Sequence, residues 1–168
     1  MELRSLLKKE KAVILKKWLA AIFDTYPAGT ANFIQGEGDM FTNPVGYTIS
    51  NGAGQLLDGL IRGDDPRALQ GCLEKIIRIR AVQDFTPSQA VGFMIDLKTV
   101  IRAEAIGGVT KYGLLDELDA LEMKIDRLAG LSVEQYASIK DQIRELAAKE
   151  SLKADEFQAR VISIRRVG

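Results

Sequence analysis

Beyond Gly108 the chain has no proline and little glycine, and its apolar residues keep a helical rhythm to the C-terminal end. Leu114, Leu118, Leu121, Ile125 and Leu128 alternate spacings of four and three. This is the a/d seam of a coiled coil or of a tightly packed bundle helix. Tyr136, Ile139, Ile143 and Leu146 resume the seam, but Tyr136 stands eight positions after Leu128, one more than a heptad allows. The slip falls at Gly130-Leu131-Ser132, where Ser132 followed by Gln135 resembles a capping box. Either one helix continues through a stutter-like defect or two helices meet near Gly130. The reading adopted is one long helix, with Gly130 as the place for a kink. From Lys111 to Glu150 it would span roughly 60 Å. That exceeds the breadth of a domain this size, so part of it should project or pair with another chain. From Ser151 a tail of partial helix is expected to fray into Arg165-Arg166-Val167-Gly168.

The rest of the chain also reads as helix. Over residues 2–24, Leu3, Leu7, Ile14, Trp18 and Ile22 line one face, widened by Leu6, Val13, Leu19 and Phe23. Lys8, Lys9, Lys11, Lys16 and Lys17 form its wet side. The helix should stop before Pro27, because a residue preceding proline leaves the α region. Residues 27–43, rich in glycine and asparagine, read as a loop whose Phe33, Ile34, Met40 and Phe41 fold down onto the core. Asn43-Pro44 is a helix start, and the helix it opens should run to Arg62 and end at Gly63. Its interior holds Gly46, Ser50, Gly52, Ala53 and Gly54, a composition that admits a close neighbour, helix or ligand, against the backbone. Asp65-Pro66 starts a third helix with Leu69, Leu73, Ile76, Ile77 and Val82 on its apolar face, joined by Cys72, ending near Asp84-Phe85. Thr86-Pro87-Ser88-Gln89 opens a fourth by a capping box. It carries Val91, Met94, Ile95, Leu97 and Ile101 to about Ala105 and breaks at Gly107-Gly108. The predicted fold is all-α. Residues 1–108 make the compact core, 109–150 a long C-terminal helix of the same domain, and 151–168 a helical or frayed tail.

Composition removes whole classes of function. There is no histidine, which excludes His-ligated zinc or haem, a Ser-His-Asp triad and phosphohistidine. The single cysteine, Cys72, leaves no intrachain disulfide and no thiolate metal site within one chain. Lysine plus arginine equals aspartate plus glutamate at 23 each, which argues against a nucleic-acid binder. The N-terminus lacks the apolar core of a signal peptide and no stretch suits a bilayer span, so a cytoplasmic protein is expected.

Little remains that could do chemistry. Asp64-Asp65, Asp116-Glu117 with Asp119, and the Glu37-Gly38-Asp39 turn lack the ligand spacing of a calcium loop. No phosphate loop is present. Ile76 to Phe85 is more informative, because arginines alternate there with large apolar residues. Arg78 and Arg80 project roughly 200° apart on a helix, so at least one belongs at the core boundary. A partly buried arginine needs an acceptor, with Asp84 the local candidate and Asp39 a remote one. Such a pair serves either local structure or an anionic ligand.

Two strings carry a family resemblance. Phe33 with Gly38-Asp39-Met40-Phe41-Thr42-Asn43-Pro44-Val45-Gly46-Tyr47, then Ile76 to Phe85 running into Thr86-Pro87-Ser88-Gln89-Ala90-Val91-Gly92-Phe93, resemble the N-terminal domain of the RsbT co-antagonist RsbRD family over roughly residues 1–150. The resemblance implies a sensory module placed before an output domain, either a phosphorylatable STAS domain or a histidine kinase core. It also implies dimers within stress-signalling complexes and a haem-free, globin-like core. No output domain follows the long helix in this sequence.

The function expected is therefore a non-enzymatic, cofactor-free sensory module. It would act as a homodimeric adaptor through its C-terminal helix, with a separate kinase or STAS-type output protein as partner and without nucleic acid or membrane insertion. The alternative is a binding protein for a small anion or apolar metabolite. Candidate ligand or partner contacts are Asp39, Asn43, Gly46, Tyr47, Arg78, Arg80, Gln83 and Asp84; assembly and coupling fall to Leu114, Leu118, Leu121, Ile125, Leu128, Tyr136, Ile139 and Ile143.

Overall fold

A computed structural model describes residues 1–35 and 41–167 of the chain. The elements are α1 (Leu3–Phe23), α2 (Ala28–Gln35), α3 (Pro44–Arg62), a 3-10 turn (Pro66–Leu69), α4 (Gln70–Val82), α5 (Pro87–Val91), α6 (Phe93–Tyr112) and α7 (Leu115–Val167). No strand occurs among the described residues. Helix α1 lies along α6, α3 packs on α4 and α1, and α7 closes the bundle over α4, α5 and α6.

Local signals account for most of the boundaries. The Asn43 side chain accepts from Gly46 N at 3.1 Å, Pro44 takes the first turn, and Gly63 ends α3 in the left-handed region at φ 90°. Asp65 caps the 3-10 turn through Arg67 N at 2.8 Å. At Thr86 both halves of a capping box form. The small residues of α3 mark close helix packing. A side chain at Gly52 would meet Ile76 and the Cys72 carbonyl at 3.1–3.3 Å, and one at Gly59 would overlap Leu69.

Trp18 anchors the core. It is fully buried, stacks on Phe93 with centroids 6.1 Å apart, and donates its indole N–H to the Phe93 carbonyl at 2.7 Å. That bond ties α1 to the start of α6 while satisfying a buried donor.

Several expectations from sequence are corrected. Residues 28–35, read as loop, are helical, and Phe41, expected on the core, is exposed. Val13, Val82 and Ile95 also face solvent. The fourth helix does not run unbroken to Ala105. It divides at Gly92, where a Cβ would stand 2.9 Å from the Ser88 carbonyl, and α6 then passes straight through Gly107-Gly108 to Tyr112. The reason is packing: a side chain at Gly108 would strike Leu6 at 2.8 Å, so glycine there admits α1 rather than breaking the helix. Gly113, at φ 67°, ends α6 and opens the tight corner into α7.

Helix α7 is continuous from Leu115 to Val167, roughly 80 Å at helical rise. It begins later than Lys111 and extends well past Glu150, and the described part of the tail is helical. Leu114, at its threshold, and Leu118, Leu121, Ile125, Leu128, Tyr136 and Ile139 are buried, and Ile143 is half-buried against the same core. The seam is thus filled by the chain's own α4, α5 and α6. Leu146, read as its continuation, is exposed. At the slip, Ser132 is fully buried and its hydroxyl donates to the Leu128 carbonyl at 2.8 Å, a back-bond that lets serine sit inside a helix.

A Cβ added at Gly130 would meet nothing within 4 Å. Gly130→Ala should therefore raise stability by about 0.5–1 kcal/mol, the usual helix-interior difference. Urea denaturation monitored by far-UV circular dichroism checks this; a loss of stability would show that the backbone there must bend.

Candidate functional site

The polar residues of the interior gather where α4 turns into α5. Helix α4 stops at Val82, and Asp84 takes φ 59°, the one non-glycine residue of positive φ among those described. Aspartate tolerates that region better than most side chains. The reversal carries Phe85 back over the helix end, where its N–H reaches the Arg80 carbonyl at 3.3 Å.

Arg80 lies beneath this elbow with no exposure at all. Its Nη2 donates to the Gln89 carbonyl at 2.8 Å and to Thr25 Oγ1 at 3.2 Å. The guanidinium sits 4.3 Å from the Phe85 ring centroid, 5.7 Å from Tyr26 and 6.0 Å from Phe93. Tyr26 meets Phe85 edge-on at 5.2 Å and donates its hydroxyl to Gln83 Oε1 at 2.7 Å. Nε and Nη1 of Arg80 are buried without any acceptor. Burial pulls the Arg80 pKa down, with Tyr26 and Asp96 opposing it, yet a guanidinium stays charged inside proteins. The elbow therefore encloses a permanent cation whose Nη2 meets two neutral oxygens and whose plane lies among three ring faces. Asp96, on α6, feels this charge without pairing to it. Burial pushes the Asp96 carboxyl up, and Arg80 draws it part of the way back. Burial likewise pushes the Tyr26 phenol up.

Helix α7 holds the elbow from outside. Tyr136 donates its hydroxyl to the Phe85 carbonyl at 2.6 Å. Lys140 donates to the Ala81 carbonyl at 3.2 Å and pairs with Asp84 at 3.3 Å. Gln135 reaches the Gln70 carbonyl at the opposite end of α4 at 3.1 Å.

The candidate residues fall into separate places. Arg80, Gln83 and Asp84 meet at the elbow, together with Tyr136 from the coupling set. Asp84 does not serve Arg80, contrary to the i,i+4 expectation. Helix α4 has ended, and the left-handed turn sends the carboxylate outward to Lys140. Arg78 sits on the wet face, paired with Glu74 at 2.7 Å. Asn43 and Gly46 are occupied at the start of α3, where Tyr47 is exposed. Asp39 lies outside the described residues. Sequence reading missed Thr25, Tyr26, Gln89 and Phe93, which reach Arg80 from other elements and carry no local signature.

No group of three or more His, Cys, Asp or Glu suited to a metal ion occurs among the described residues. None of their helices is long and apolar enough to cross a membrane.

These features define an all-α domain with a clamped polar elbow and a projecting helix. The family model of the RsbT co-antagonist protein rsbRD N-terminal domain matches residues 12–150, and the chain belongs to that family of sensory, regulatory domains. The match leaves the outer part of α7 outside it. No curated protein and no solved structure is significantly similar to the chain.

Because the Asp96 pKa is raised on folding, its ionised form opposes folding above that raised value, and stability falls as pH rises through it. Asp96→Asn should accordingly raise the melting temperature at neutral pH. The gain should vanish below about pH 4, where the carboxyl is protonated in both states. A melting series across pH tests this; a loss confined to the pH range in which Asp96 is ionised would show that attraction to Arg80 outweighs desolvation.

Proposed function

We propose that the chain is a cytoplasmic sensory module of stress signalling, with a haem-free, globin-like core as its input half, and that it works as a dimeric adaptor coupled through α7 to a separate output protein of kinase or STAS type. The observation that carries the reading is the path of α7. One unbroken helix fixes the α4–α5 elbow with Tyr136 and Lys140 and then continues into solvent, exposed at nearly every position from Arg144 onward. A change at the elbow moves the part of the helix that other proteins can reach. Leu118, Leu121, Ile125 and Leu128 serve coupling by seating α7 on the core, and the contacts with other chains come from its exposed continuation, where Phe157 and Ile164 stand in solvent.

Two variants separate these roles. Phe157→Glu should give a folded monomer, with unchanged helical dichroism and a halved mass in sedimentation equilibrium. Ile125→Glu, at a fully buried position, should unfold the domain, because an unpaired buried charge costs several kcal/mol. Wild-type protein sedimenting as a monomer at high micromolar concentration refutes the dimer.

The unpartnered Nε and Nη1 of Arg80 favour a second reading, in which a small anion binds at the elbow. Raised melting temperature with a simple carboxylate or phosphate, lost in Arg80→Met, would support it. No shift across such a panel removes it.

A further inference from the structure

Three helices each bring apolar side chains and a cation to one hollow, well removed from the elbow. Leu3 and Leu7 of α1, Leu60 and Ile61 of α3 and Leu121 of α7 line its floor, and all five are buried. Arg4 follows Leu3, Arg62 follows Ile61, and Lys124 lies one turn beyond Leu121; these cations line the mouth. The hollow measures about 310 Å³, at the small end of the roughly 300–1,000 Å³ usual for small-molecule sites. An apolar floor with a few convergent polar groups is also the usual make-up of such sites. Leu121 and Tyr136 stand roughly 20 Å apart along α7, so this place and the Arg80 elbow are separate.

Charge at the mouth is one-sided, in a chain whose formal net charge is zero. Among the lining residues Glu117 is the one carboxylate. Its Oε2 accepts the Leu3 N–H at 2.9 Å, which commits it to the start of α1. Just outside the lining, Asp64 accepts from Arg62 at 2.7 and 3.4 Å. Hydrogen bonding to Arg62 holds the Asp64 carboxyl below its usual range against some desolvation, and the charges of Arg62, Lys124 and Arg4 add to the effect. All three cations therefore act on the same spot. Lys124 donates to neutral main-chain oxygens, those of Gly63 and Asp64, at 3.2 Å each. Neither Lys124 nor Arg4 pairs with a carboxylate among the described residues.

We propose that this hollow binds a small amphiphilic carboxylate, with its apolar body on the leucine floor and its head at Arg4 and Lys124. The floor alone would accept any small hydrocarbon, and the cations alone any anion; side by side they select a molecule that has both parts. Three cations less the two carboxylates Glu117 and Asp64 leave a surplus of one positive charge. That surplus matches a monoanion and not a phosphate dianion. The planar fork of Arg4 suits a carboxylate, and hydrogen bonds between ionised partners are the strong ones. A molecule seated here touches α1, α3 and α7 together, so it binds the folded chain and stabilises it by mass action.

The test uses the full chain and octanoate as probe, with acetate and 1-octanol as its charge-only and tail-only counterparts. Octanoate should raise the melting temperature saturably. In isothermal titration it should bind about tenfold or more tightly than either counterpart, and less tightly as salt rises. Arg4→Glu changes an exposed side chain, so the unliganded protein should melt as wild type while octanoate binds about tenfold more weakly. Ala120→Trp puts a large ring at an exposed lining position and should abolish binding with every charge in place. If that variant fails to fold, Arg4→Glu decides alone. Octanoate binding no better than acetate or 1-octanol overturns the proposal, as does binding that Arg4→Glu leaves unchanged. Binding lost in Arg80→Met but kept in Arg4→Glu would put the anion at the elbow, which overturns this site and supports the second reading above.

Discussion

A single buried cation sets the terms for the centre of this domain. The Arg80 guanidinium cannot shed its charge, and leaving it without partners in the interior would cost several kcal/mol. Its acceptors come from Thr25, just after α1, and Gln89, in α5, while Tyr26, next to Thr25, and Phe85 and Phe93 supply ring faces. Residues from the end of α1, the α4–α5 turn, α5 and the start of α6 must therefore converge on one side chain. Hydrogen bonds to a charged group contribute about 1.5–3 kcal/mol each, and a desolvated cation–π contact about 2. Those gains offset burial only while all the parts stay in place, which makes the elbow cooperative.

The grip of α7 follows from how α4 ends. The last carbonyls of a helix have no partner within it. Ala81, in the last turn of α4, presents its carbonyl to Lys140, and Phe85, past the helix end, presents its own to Tyr136. Lys140 also brings positive charge to the helix C-terminus, where the macrodipole favours it. The left-handed Asp84 makes this geometry possible and supplies the carboxylate that pairs with Lys140. The interior arginine and the exterior clamp are two faces of one turn.

Periodicity disclosed most of this fold, and distance concealed the site. The helices with strong apolar stripes and caps, such as α1 and α3, run close to where their sequences place them. Gly107-Gly108 misled because a glycine pair can break a helix or admit a neighbour, and only the position of Leu6 decides which. Arg80 stood out because Arg78 and Arg80 cannot share one face, but its partners lie up to 55 positions away in sequence and no spacing rule connects them. The seam of α7 was equally plain as a pattern. What covers it was not, since a/d spacing is the same whether the helix packs on its own core or on another chain.

That ambiguity bears on how α7 can move. Burying a leucine or isoleucine contributes about 1.5–3 kcal/mol. Leu118, Ile125 and Leu128 are wholly buried, so the first half of α7 cannot leave the core without unfolding it. Tyr136 and Ile139 are still buried, but Ile143 is only half-buried, and beyond it the chain's own core provides no further support. Over the elbow the hold combines the burial of Tyr136 and Ile139 with the two side chains, Tyr136 and Lys140, that donate to it, worth about 0.5–1.5 kcal/mol apiece. In the coupling proposed above, a change at Arg80 that displaces Phe85 would act first on those two contacts. In that coupling the pivot is the well-buried half, and because no break occurs between Tyr136 and Val167, a tilt there would carry to the exposed outer turns. Coupling of this kind requires two positions of similar energy, and the turns beyond Ile139 are the part of α7 that the core holds least.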